Sequence, residues 1–174
     1  MSNFAFALLD QGAKPYTILL DPFEKLVVYG PDGEGIWRSE AYFGGGLTFM
    51  MNKELNVRDI GDIGKRIYFP SPIFLTDLDK DGQQEVVICQ NHSPTLRVTG
   101  YLRDFSNGRV LFLTWDGVGL STRWTSGKLP GAVVGYRVAD VDQDGLPELV
   151  VAAVSGVGLT LKSTRSQVVV YDLK

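Results

Sequence analysis

The 174-residue chain is 44% hydrophobic and 11% aromatic, with 17 Lys and Arg against 20 Asp and Glu for a formal charge of -3. That apolar content suits one globular domain and is too high for intrinsic disorder, and basic residues scattered without a run exclude a general nucleic-acid binder. A single cysteine rules out a disulfide scaffold, no apolar stretch reaches the ~18 residues of a membrane-spanning helix, and 20 glycines point to many tight turns between short elements.

Short apolar runs rich in β-branched and aromatic residues, with no helical period over a long window, predict an all-β chain. In chain order the predicted strands span 4–9, 16–20, 25–29 and 35–42, followed by a long polar connection over 44–71. The next group spans 72–76, 85–90, 110–115 and 121–126, and the last 136–139, 148–154 and 167–171. Asp32-Gly33 and Asp116-Gly117 each stand between two runs and supply the positive φ angles of hairpin turns.

One unusual segment occurs twice. Residues 77–88 read Asp-Leu-Asp-Lys-Asp-Gly-Gln-Gln-Glu-Val-Val-Ile, and residues 140–151, offset by 63, read Asp-Val-Asp-Gln-Asp-Gly-Leu-Pro-Glu-Leu-Val-Val. A weaker copy lies 69 residues before the first, with Asp10-Gln11 under Asp142-Gln143, Pro15 under Pro147 and Ile18-Leu19 under Val150-Val151. The flanking elements recur in the same order: a strand, the Asp-rich loop, two further strands, and a fourth strand carrying Trp37 or Trp124. Four antiparallel strands per repeat make a propeller blade. Three blades are therefore expected, at about 4–43, 72–129 and 136–174, the last without its fourth strand and the whole forming part of a larger propeller.

The spacing within the loops dictates their chemistry. Carboxylates at positions 1, 3 and 5, a Gly at position 6 and a carboxylate at position 9 converge oxygens on one point, as a hard cation taking six to eight oxygen ligands at 2.3–2.6 Å requires. Calcium is the expected ion, about two per chain. Asp77, Asp79, Asp81 and Glu85 would give side-chain oxygens and Gln83 its carbonyl; in the other loop the same set is Asp140, Asp142, Asp144 and Glu148 with the Leu146 carbonyl. Polar turns closed by Asp side chains are the plain alternative, but four carboxylates within nine residues repel one another without a cation. An EF-hand needs an oxygen ligand at position 12, where this chain has Ile88 and Val151. The weak copy has Leu8, Gly12 and Tyr16 at positions 1, 5 and 9 and is not expected to bind calcium.

Residues 77–88 and 135–153 resemble the calcium loops of FG-GAP or VCBS-type repeats, the blades of integrin-like β-propellers. More narrowly, 111–120 and 168–173 resemble the C-terminal end of bacterial FG-GAP-repeat envelope proteins. The resemblance implies a non-catalytic propeller, exported to the periplasm, the outer membrane or the cell exterior, that binds or serves as a scaffold. Its partner would be a protein or a glycan; separately, the open edges of three blades, the last one incomplete, lead to the expectation of further blades or association with other chains, including a second copy.

Other residues carry less. Cys89 and His92 lack the further ligands of a zinc site, and His92, the single histidine, has no nucleophile signature beside it. The glycines at 30, 33 and 35 and at 44–46 lack the strand, loop, helix and Lys of a phosphate cradle and read as turns. Trp37, Trp115 and Trp124 are expected in blade packing and not on a sugar. An accessory propeller of a carbohydrate-active enzyme is the alternative function. It is disfavoured because nearly all carboxylates able to pair for catalysis lie in the Asp-rich loops.

Overall fold

The computed structural model describes residues 3–12, 14–51, 66–94, 103–156 and 163–173. Among them there are strands, turns and no helix. The first sheet has the order β1-β2-β3-β4, antiparallel throughout, formed by β1 (Asn3–Ala7), β2 (Tyr16–Leu20), β3 (Leu26–Tyr29) and β4 (Gly35–Arg38). A two-stranded ribbon, β5 (Phe49–Met51) with β6 (Arg66–Tyr68), follows. The middle sheet runs β7-β8-β9-β10, from β7 (Phe74–Thr76), β8 (Glu85–His92), β9 (Asn107–Trp115) and β10 (Leu120–Thr125), with β11 (Leu129–Pro130) also on β9. The third sheet is β12-β13-β14: β12 (Ala132–Ala139), β13 (Glu148–Ser155) and β14 (Arg165–Asp172).

All eleven predicted strands fall on these elements, and the differences have local causes. The fourth strand ends at Arg38 and not at residue 42 because Ser39 turns back on the sheet. Its N–H donates to the Leu26 carbonyl at 2.8 Å and its hydroxyl accepts from the Leu26 N–H at 3.0 Å. Ser126 makes the same pair of bonds with Val110, at 3.0 and 2.9 Å, so Trp-x-Ser closes both sheets alike. The connection expected over 44–71 is not all loop. Phe49 packs on Tyr68 with ring centroids 5.5 Å apart, holding the β5–β6 ribbon, while 52–65 lie outside the described residues. The strand expected from 136 begins four residues earlier, because a bulge between Val133 and Gly135 carries the pairing past the irregular stretch.

The three sheets stack face to face. β8 is buried on both sides, which explains its unbroken apolar run. Val86 and Ile88, with Leu111 and Leu113 of β9, pack on Ile18, Leu20, Leu26 and Val28 of the first sheet. Val87 and Cys89, with Val110 and Phe112, pack on Leu149, Val151 and Ala153 of the third. Trp37 joins the first of these interfaces, and Trp124 the second, edge-on to Phe112 at 5.4 Å and Tyr171 at 5.9 Å. Trp115 lies against Tyr16 at 6.1 Å. All three tryptophans are therefore packing residues.

The end of the stack away from the Asp-rich loops is tied by Asn91. Its amide donates to the carbonyls of Gly45 and Val133 at 2.8 and 2.9 Å, and its oxygen accepts from the Val133 N–H at 2.8 Å. The glycines at 44–46 serve this junction and are more than turns. Gly44 bridges to Gln90 beyond the end of β7, and a Cβ on Gly45, at φ +93°, would lie 2.9 Å from the Phe105 ring.

Candidate metal centres

Both Asp-rich loops connect the first and second strands of their sheets and share one backbone path. Lys80 and Gln143 at position 4 have φ of 60° and 62°, and Gly82 and Gly145 at position 6 have φ of 88° and 87°. Position 6 therefore favours glycine, since a side chain is strained there. The first carboxylate organises the turn: Asp77 accepts the N–H groups of Asp81 and Gly82 at 3.1 and 3.0 Å, and Asp140 accepts that of Gly145 at 3.0 Å. At position 9 the glutamates are buried and reach back to position 2, Glu85 accepting from the Leu78 N–H at 2.9 Å and Glu148 from the Val141 N–H at 2.8 Å.

The loops bring together different subsets of the predicted ligands. One oxygen each from Asp77, Asp79 and Asp81 lie within 4.8 Å of one another, as do oxygens of Asp140, Asp142 and Glu148. Because 4.8 Å is about twice a calcium–oxygen distance, one hard cation between such oxygens reaches all three. The donor sets fit that ion. Asp144, which accepts the Leu146 N–H at 2.8 Å, is not in its cluster, and neither is Glu85.

Glu85 is drawn aside by a residue that the sequence did not single out. Arg123 on β10 donates to Asp79 at 2.5 Å and to Glu85 at 3.1 Å. The guanidinium holds the Asp79 carboxyl below the usual carboxylate range, whereas burial pushes that of Glu85 up. Among the described residues the third sheet has no strand matching β10, and no Lys or Arg pairs with the second acidic loop. In the weak copy, the Tyr16 hydroxyl donates to Asp10 at 2.6 Å and the Gly12 N–H at 2.8 Å, which lowers the Asp10 pKa. This turn is closed by hydrogen bonds alone.

A cleft of about 430 Å³ opens at the far end of β8, roughly 23 Å from the acidic loop at ~3.3 Å per strand residue. Tyr42, Gln90, His92, Asn107, Arg109 and Lys128 line it, and among the described residues no carboxylate belongs to its wall. Gln90 donates to the Tyr42 carbonyl at 2.9 Å and accepts Arg109 Nε and Nη2 at 2.9 and 2.7 Å, which fixes the guanidinium in place. Sequence reading missed the cleft because it depends on the pairing of Gln90 with Arg109 and His92 with Asn107 across a long connection.

Residues 77–151 match the family model of the FG-GAP-like repeat, a stretch that starts at the first acidic loop and ends in the strand after the second. No curated protein matches the chain. The matched stretch is an FG-GAP-like repeat, and such a repeat indicates a β-propeller-like interaction module.

Proposed function

We propose that this FG-GAP-repeat chain is a calcium-stabilised propeller module that binds a protein or glycan without transforming it, and that it works outside the cytoplasm of a bacterium. The observation that carries the reading is the convergence of Asp140, Asp142 and Glu148 oxygens within 4.8 Å. A divalent cation would relieve their mutual repulsion, and among the described residues no Lys or Arg side chain pairs with them. The ion would tie β12 to β13 through Glu148, whose other role is to hold the Val141 N–H. Asp77, Asp79 and Asp81 would hold a second ion at the middle sheet. The cleft at the opposite end, walled by amides, His92 and the cations Arg109 and Lys128, would receive the partner.

Calorimetric titration tests this. About two calcium sites are expected, and a chelator should lower the melting temperature, because an ion bound only to the native state stabilises it by mass action. Asp142→Ala should remove one site, whereas Asp10→Ala should leave the stoichiometry unchanged. Two unaltered sites in Asp142→Ala would overturn the assignment. Cleavage of a polysaccharide by the chain would favour the accessory-enzyme reading instead.

A further inference from the structure

The face of the middle sheet that packs on the first sheet changes character along its length. Side chains on β8 alternate in direction, so Gln90 and His92 continue the row of Val86 and Ile88, and their partners Arg109 and Asn107 continue the row of Leu113 and Leu111. Val86, Ile88, Leu111 and Leu113 are buried against the first sheet. Past Ile88 the row turns polar, and Gln90, His92, Arg109 and Asn107 line the cleft of about 430 Å³ together with Tyr42 and Lys128. That volume lies within the ~300–1,000 Å³ of small-ligand sites.

The cations of this cleft keep their charge. Arg38, Arg103 and Arg123 each meet a carboxylate, at 2.6, 2.7 and 2.5 Å. Arg109 meets the Gln90 amide oxygen instead, which takes its Nε and Nη2 donors at 2.9 and 2.7 Å. An amide fixes the guanidinium without neutralising it, and leaves the remaining N–H donors of the fork for a ligand. Lys128, which precedes the Leu129 paired to Gly108, adds a second cation. Among the described residues neither Arg109 nor Lys128 has an ion-pair partner. On a chain of formal charge -3 the cleft is therefore a local cationic site, and a positioned guanidinium matches a carboxylate in shape as well as in charge.

We propose that the cleft binds an acidic glycan, with the carboxylate of one uronic-acid sugar on Arg109 and Lys128. This rests on the reading of the chain as a binding module and names the partner of its cleft. The backbone favours a sugar over an acidic peptide. At this end β8 pairs with β9 on one side, and on the other the Gly44 N–H donates to the Cys89 carbonyl at 2.7 Å and the Asn91 N–H to that of Gly44 at 3.0 Å; β9 pairs in turn with β11. An extended peptide adds to a free sheet edge, and among the described residues β8 and β9 are paired on both sides here. Recognition therefore passes through side chains. The Tyr42 ring, 48% exposed with Lys25 Nζ 3.7 Å from its centroid, gives an aromatic surface beside the Asn107 amide and the His92 imidazole. One aromatic body with a few placed polar groups suits a ring that carries hydroxyls and one charge.

Calorimetry with a short oligouronate, beside the same oligosaccharide with its carboxylates reduced to alcohols, reads the outcome. The acid form should bind and the reduced form should not, and added salt should weaken binding by screening the charges. Arg109→Ala should lower the affinity about tenfold or more, as a charge-assisted bond is lost, and Lys128→Ala about twofold to fivefold, as for an exposed ion pair. Gln90→Glu keeps the guanidinium but gives it a carboxylate, and should match Arg109→Ala. Melting curves identify the folded variants, and the exposed Lys128 keeps the test decisive should a change at Arg109 or Gln90 unfold the chain. No binding by the wild type, equal binding of the reduced sugar, or unaltered affinity in folded Arg109→Ala or Lys128→Ala overturns the proposal. So does equally tight binding of a glutamate tetrapeptide, which would make the partner an acidic peptide, or of inorganic sulfate, which would make the cleft a site for a bare anion. Calcium titration of the same samples separates this outcome from the metal reading: two ions without oligouronate binding sink the glycan alone, and oligouronate binding without ions sinks the metal assignment alone.

Discussion

Arg123 lies 2.5 Å from Asp79 and thereby places a permanent positive charge inside one acidic loop. The two loops share a backbone path and most of their residue types, yet among the described residues only the middle one of their two sheets has a fourth strand to carry a guanidinium into its loop. As proposed cation sites they would therefore be unequal. A divalent ion roughly 5 Å from a guanidinium is repelled by about 1.7 kcal/mol even at the dielectric of water. Arg123→Ala should tighten binding at the Asp77 loop about tenfold and leave the Asp140 loop unchanged, which separates the two sites in a calorimetric titration. Equal affinities in the wild type, unaltered by Arg123→Ala, would mean that the guanidinium swings clear of the ion.

The same pair sets a response to acid. The folded pKa of Asp79 is lowered, first by the Arg123 hydrogen bond, so the unfolded chain takes up this proton before the folded one does. Stability from the pair is thus present above the ordinary aspartate value of 3.8 and is lost as pH falls through the lower folded value. Arg123→Ala in chelator should flatten the acid limb of the stability curve below that pH. Glu85 acts with the opposite sign: burial raises its folded pKa above 4.5, so its share of stability declines as pH climbs past that value. Glu85→Gln should remove that decline.

How much of this was legible in the sequence depends on how local the cause was. The Asp-rich loops were legible because their geometry is set within nine residues, by three carboxylates and one glycine at φ near 88°. The strands were legible because β8 is buried on both faces and reads as an unbroken apolar run. Arg123 was not, since it meets Asp79 from 44 residues away through the β9–β10 hairpin. The β5–β6 ribbon was hidden for a related reason: two three-residue strands, separated by a long insertion, give no period to detect. Asn91 reads as one polar residue after a strand until the third sheet arrives 42 residues later.

Asn91 is 2% exposed and bonds to both the Gly44–Gly45 junction and β12. Replacing it by Ala strands the Gly45 carbonyl and both Val133 groups in a buried site, and each lost partner costs about 1–3 kcal/mol. Asn91→Ala should destabilise the fold by about 3 kcal/mol or more, read as a drop of roughly 6–12 °C in melting temperature at ~2–4 °C per kcal/mol. The acidic loops lie at the other end of β8, so calcium stoichiometry should survive. A melting temperature within a degree of wild type would show that water replaces the amide.

Cys89 gives the chain a second pH response, at the alkaline end. Burial between the middle and third sheets pushes its thiol up to about 11 from an ordinary 9. The native protein should therefore resist thiol reagents at pH 8, where reaction requires thiolate and access, and should react fully once denatured. The unfolded chain ionises first, so stability is unaffected below pH 9 and falls as pH rises from about 9 towards 11, by roughly 2–3 kcal/mol in all at ~1.4 kcal/mol per pKa unit. Tyr136 is pushed the same way by burial and adds to the slope. Cys89→Ala should remove the part of the decline that begins near pH 9 and keep the part due to Tyr136. Denaturant melts at pH 8, 9.5 and 11 measure the difference in slope, which a small packing cost of the substitution does not alter. Rapid labelling of native Cys89 at pH 8 would show that the two sheets separate readily, since ionisation and access both require the interface to open.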